Sequence, residues 1–123
     1  MRGIDGYFQI GSWSLDGQQL AGNVQLLGGP AGIGIYSQAT GQFKRLTKMG
    51  SRPQWLSDSR RLLFVDSDKI YLADSESGRV HEIFAASSMD LVMSVPSRDD
   101  RWIYFAARAK QADIWQMSLG ELQ

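Results

Sequence analysis

A six-residue pattern occurs three times along this chain at nearly constant spacing. Trp13-Ser14-Leu15-Asp16-Gly17-Gln18 returns as Trp55-Leu56-Ser57-Asp58-Ser59-Arg60, and in more altered form as Pro96-Ser97-Arg98-Asp99-Asp100-Arg101. The aspartates lie 42 and then 41 residues apart (16 to 58, 58 to 99). Two short apolar segments follow each copy: Leu20-Ala21 and residues 33–36, then 62–65 and 70–73, then 103–105 and 114–117. Apolar segments this short suit strands better than helices, and no stretch has convincing helical periodicity; residues 85–90 are expected to form one turn at most.

A period in the low forties built from strand-sized segments is the signature of β-propeller blades, each a meander of four antiparallel strands. The expected fold is therefore all-β, a β-propeller fragment of two to three four-stranded antiparallel blades. Blade 1 is placed at about 7–50, blade 2 at about 51–90, and an incomplete blade 3 at about 91–123. A closed ring needs about four to eight blades, so the chain reads as part of one.

The second copy is the most regular. Residues 54–56 read as a short first strand, followed by a polar turn in which Asp58 is suited to accept hydrogen bonds from amides two residues on. Strands then follow at 61–66, 69–74 and 79–84, joined by Ser67-Asp68 and by a turn ending in Gly78. In the fourth strand Val80, Glu82 and Phe84 are expected to face one way, His81 and Ile83 the other. In the first copy, Leu26 to Gly32 reads as a longer loop replacing the two-residue hairpin turn. Gly28, Gly29, Pro30 and Gly32 make it a candidate contact surface, since loops carry binding on rigid scaffolds. The aromatics Trp13, Trp55, Tyr71, Trp102 and Trp115 are expected to be framework residues buried between blades.

Composition narrows the function classes. Thirteen basic and thirteen acidic residues cancel, so no global field favours nucleic acid or an anionic membrane surface. With no cysteine there is neither a disulfide framework nor a thiolate metal site. The longest apolar run, residues 102–107, is far shorter than the roughly twenty residues of a membrane-spanning helix. The first six residues lack the apolar core of a secretory signal. Periplasmic and cytoplasmic settings both remain compatible.

Catalytic constellations are not evident. His81 is the single histidine and there is no G-x-S-x-G elbow; an exposed outer-strand residue is the expected role for it. Asp66-Ser67-Asp68 and Asp99-Asp100 lack the ligand number that calcium requires, and turn chemistry accounts for them. The glycine-rich 28–34 segment precedes a strand, with no helix N-terminus or lysine to cradle phosphate. Lys44, Arg45, Lys48 and Arg52 lie near aromatics, yet strand alternation divides Lys44 from Arg45, so a solvated edge is expected. No catalytic residue, metal or cofactor is expected.

The repeats resemble those of the TolB-like propeller family, which is related to the WD repeats. The resemblance rests on the pattern Trp-Ser-x-Asp-Gly-Arg, an apolar strand, an Ile-Tyr pair, a turn ending in Gly, and Leu-Thr. Trp13, Ser14, Asp16, Gly17, Leu46 and Thr47 match it in the first blade, and Trp55, Asp58, Arg60, Ile70, Tyr71 and Gly78 in the second. Asp99, Arg101, Ile114 and Trp115 match in the third, where Pro96 replaces the tryptophan. The resemblance covers about residues 11–119. It implies a protein-interaction or sensory propeller, similar at residues 112–119 to the end of propellers linked to bacterial serine/threonine kinases or regulators. The alternative it implies is the regulatory propeller of a kinase or prolyl oligopeptidase-type enzyme. Ser59 and Asp100 at the turn-glycine position are compatible with sequence drift, up to a decayed gene product without a role of its own. A protein partner is expected, and self-association through open sheet edges is a second expectation.

Overall fold

The structure is a computed structural model that describes residues 6–87, 89–108 and 112–119, with backbone alone at 112–116. Eleven strands are present among these residues and form three antiparallel sheets in sequence order. The first holds β1 (Gly6–Trp13), β2 (Gln19–Leu26), β3 (Gly29–Ser37) and β4 (Phe43–Arg45). The second holds β5 (Ser51–Trp55), β6 (Arg61–Asp66), β7 (Lys69–Asp74) and β8 (Val80–Ala85). The third holds β9 (Asp90–Pro96), β10 (Trp102–Arg108) and β11 (Ala112–Ser118). Each sheet pairs its strands in chain order, which is the meander of a propeller blade.

Packing follows from strand alternation. On blade 2, Trp55, Leu62, Phe64 and Ala73 form one face, and they bury against Ala21, Ile33 and Ile35 of blade 1 with Leu46 between them. Leu63, Val65, Ile70 and Leu72 form the other face and bury against Leu91, Ile103, Phe105 and Ala107 of blade 3. Blade 2 is thus apolar on both faces, as a sheet covered on both sides must be. In β10 the residues facing blade 2 are buried, whereas Trp102 and Tyr104 on the opposite face are exposed.

Several expectations change. The first strand of blade 2 begins at Ser51 rather than Gln54. The segment 26–32 is not a long loop: Leu27-Gly28 is the whole turn, and Gly29, Pro30 and Gly32 belong to β3. An irregularity in register between β2 and β3, at Asn23 to Gln25, absorbs the extra residues. A similar irregularity between β7 and β8 leaves His81 and Glu82 both exposed, so strict alternation does not hold in that strand. No helix forms at 85–87 or 89–90.

The three motif turns are built alike. Asp16, Asp58 and Asp99 each accept the amide two residues on, from Gln18, Arg60 and Arg101, at 3.0, 2.9 and 3.1 Å. Gly17, Ser59 and Asp100 occupy the same place with φ of 73°, 56° and 59°. That left-handed conformation favours glycine but is open to small polar residues. Ser59 and Asp100 do more than tolerate it. The Ser59 hydroxyl accepts the Asp16 amide at 3.0 Å. The Asp100 carboxylate accepts the Ser57 amide at 3.0 and 3.1 Å and the Ser57 hydroxyl as well. Each replacement ties its turn to the turn of the preceding blade, so drift is not needed to explain it.

Candidate functional site

Between blades 1 and 2, at the end away from the motif turns, lies a cleft of about 780 Å³. Its walls come from β1, the ends of β2 and the start of β3, the connection 48–50 and β5, with Asp66 and Met93 completing the rim. Pro30 and Gly32 of the sequence-derived contact segment line it, whereas Gly28 and Gly29 lie at the hairpin outside it. Asn23, Gln9, Gln25 and Gln54 supply uncharged polar groups, and Lys48, Arg52 and Asp66 supply the charges.

The connection that forms one wall is tightly held. The Thr47 hydroxyl accepts the Ile33 amide at 3.0 Å and donates to the Met49 carbonyl at 2.6 Å. Arg45 donates twice to the Ala31 carbonyl, at 2.9 and 2.6 Å. Gly32 has φ 101°, and a Cβ there would stand 2.2 Å from the Thr47 carbonyl oxygen. Gly50 has φ 88°, and a Cβ there would meet the Phe64 ring at 2.3 Å. Arg52, although not glycine, has φ 59°, and its amide donates to the Asn23 Oδ1 at 3.0 Å. A non-glycine residue in the left-handed region persists only where its surroundings hold it there.

A second, more apolar hollow of about 480 Å³ lies at the motif-turn end, among Trp13, Leu15, Trp55, Leu56, Pro96 and Asp100. Its two tryptophans occupy equivalent repeat positions but differ in environment. Trp55 is 7% exposed, and its indole N–H donates to the Ser12 carbonyl at 3.0 Å. Trp13 is 51% exposed. The expectation that both are buried between blades fails for Trp13, and likewise for the exposed Trp102: neither ring joins the apolar clusters in which adjacent blades bury their faces. Tyr71 is partly buried and stacks on Phe64 at 5.2 Å. The side chain of Trp115 lies outside the described residues.

The electrostatics of the motif turns are structural. The Ser14 hydroxyl at 2.6 Å and the Gln18 amide hold the Asp16 carboxyl below its usual range. Ser97 and the Arg101 amide do the same for Asp99. Partial burial pushes Asp58 up, but the amides of Arg61 and Arg60 and the Arg61 side chain outweigh it and hold that carboxyl low. Arg60 does so most strongly for Asp74, at the turn that Gly78 closes. These are carboxylates engaged in turns. His81 is exposed on β8, and no group of three or more acidic or histidine side chains that could hold a metal occurs among the described residues.

No protein-family profile matches the chain, and no curated protein sequence matches it. Solved structures do. TolB from Acinetobacter baumannii superposes with a TM-score of 0.80 at 19% identity, covering 96% of this chain and 31% of that protein. The fold is that of a TolB-like β-propeller. A structure assigned to TolB of Agrobacterium tumefaciens gives 0.81 at 17% identity, covering 97% of this chain and 47% of that one. A prolyl endopeptidase gives 0.66 at 16% identity, covering 94% and 21% respectively. The chain thus spans less than half the length of each of these three proteins.

Proposed function

We propose that the chain serves as a non-catalytic β-propeller segment for protein–protein or sensory recognition, within a larger bacterial signalling protein. The observation that carries this reading is the contrast between its internal and terminal blade faces. Trp55 is buried against blade 1, and the equivalent Trp13 is half exposed. A face of that kind is completed by a neighbouring blade or a partner. Rigid blades then display the connections that form the cleft, as scaffolds display binding loops.

The test is affinity capture with the purified chain as bait, followed by titration of any retained protein against the chain. A protein that titrates with defined stoichiometry supports the reading. Failure to retain any protein, together with turnover of peptide or ester substrates by the chain, counts against it.

A second reading draws on the prolyl endopeptidase likeness. Here the segment belongs to the regulatory propeller of an enzyme, a peptidase or a kinase, whose catalytic domain is a separate part of the same protein. Reading the gene on both sides of this chain separates the two. An α/β-hydrolase or kinase domain in frame supports this reading, and a sensor or transporter context supports the first.

A further inference from the structure

We infer that the cleft between blades 1 and 2 is a recognition site for an acidic, extended peptide segment of a protein partner. The inference rests on the protein-recognition reading above and names the partner's chemistry.

Charge is the first ground. Lys48 and Arg52 both line the cleft and are exposed. Among the described residues neither side chain has an ion-pair or hydrogen-bond partner. Lys44 and Arg45, just before them in sequence, are engaged by contrast, Lys44 donating to the Ser75 carbonyl and Arg45 to the Ala31 carbonyl. Elsewhere in the fold Arg60, Arg61 and Lys69 pair with carboxylates. The cleft therefore holds two uncommitted cations against one carboxylate, Asp66. In a chain of zero net charge this is a local excess of positive charge, suited to steer and hold carboxylates.

Preorganisation is the second ground. The backbone carrying the two cations is fixed at both ends, by Thr47 on one side and by Asn23 on the Arg52 amide on the other. Little backbone freedom remains to be lost on binding, and that lowers the cost of association. The remaining walls suit a peptide rather than a compact anion. The amides of Gln9, Gln25 and Gln54 can both donate to and accept from peptide groups.

The test uses fluorescence anisotropy with the full chain and three labelled probes: oligoglutamate, oligolysine and a neutral Gly-Ser peptide. Oligoglutamate is expected to bind with an affinity that falls as salt rises, and the other two to bind much more weakly. The double variant K48Q/R52Q should weaken oligoglutamate binding about five- to tenfold, in line with the loss of two exposed charge pairs. The variant D66N should strengthen it about twofold by removing the opposing carboxylate. Circular dichroism on both variants establishes that the fold is kept, and amide shifts at Gly32 and Gly50 on titration locate the probe. Equal binding of the three probes, no binding of oligoglutamate, or indifference to K48Q/R52Q overturns the proposal. A protein partner that still binds K48Q/R52Q at full affinity would leave the recognition reading standing and remove only this site.

Discussion

Two faces of the same repeat behave differently in this molecule. Where blade 2 meets blade 1, Trp55 and Leu62 pack against Ala21 and Ile35, and the indole N–H is satisfied by a carbonyl of the neighbouring strand. On the outward face of blade 1, Trp13 sits beside Leu20 across the strand pair, in the same register as Trp55 beside Leu62, yet it is half exposed. The two faces also differ at their centres. Blade 2 places Phe64 against Tyr71, and blade 1 places Gly22 opposite Gly34. A Cβ at Gly34 would meet the Phe43 ring at 2.5 Å, and one at Gly22 would meet Phe8 at 3.0 Å. Phe8 and Phe43, edge to face at 5.3 Å, thus lie over the glycine pair. Equivalent repeat positions thus carry different residues, Phe64 and Tyr71 in blade 2 but Gly22 and Gly34 in blade 1, and the same residue type, tryptophan, is buried at 55 and half exposed at 13.

The sharpest way to break this comparison is to truncate the two tryptophans. Trp55→Ala removes a core aromatic and should lower stability by about 3–5 kcal/mol, measured by urea unfolding. Trp13→Ala on the open face should cost about 1 kcal/mol or less. Equal losses would remove the distinction between the two faces.

A smaller effect is expected at the turns that link successive blades. Asp100→Gly keeps the left-handed backbone and loses the bonds to Ser57, at a cost of about 1 kcal/mol. Asp100→Ala loses the bonds and strains the backbone as well, so it should be the worse of the two by about 1 kcal/mol. If alanine matches or exceeds glycine there, the shared turn geometry is wrong.

The smallest and broadest effect is that of pH. Asp16, Asp58, Asp74 and Asp99 are all held below their ordinary values. Groups lowered in the folded state stabilise it above their unfolded pKa, about 3.9, and that contribution is lost as pH falls through the folded values. Thermal stability should be flat from neutral pH to about pH 5 and decline below about pH 4. A decline that begins near pH 6 would point to groups outside the turns.

Much of the fold was legible because the repeat fixes both turn and strand. The aspartate positions located the turns, and the hairpin at Ser67-Asp68 followed from its length. What the sequence hid was hidden by register. The irregularity at Asn23 to Gln25 lets Gly29 to Gly32 continue a strand that glycine content argues against. Trp13 and Trp55 look alike in sequence, since only the neighbouring blade separates them. The cleft was half legible: Pro30 and Gly32 were singled out, but Lys48 and Arg52 read as a solvated edge. Their common location depends on Thr47 and Asn23 bonding across strands, and local spacing carries no sign of that. Ser59 and Asp100 looked like lost glycines because a bond between residues 43 apart leaves no local trace.

Hydrogen exchange of the four indole N–H groups, followed by NMR with assigned tryptophans, tests the face-to-face stacking of blades most directly. The Trp55 indole proton, bonded to the Ser12 carbonyl inside the blade 1–blade 2 interface, should exchange orders of magnitude more slowly than that of Trp13, approaching the rate set by global unfolding. Equally fast exchange at Trp55 and Trp13 would mean that the blades do not pack in this register.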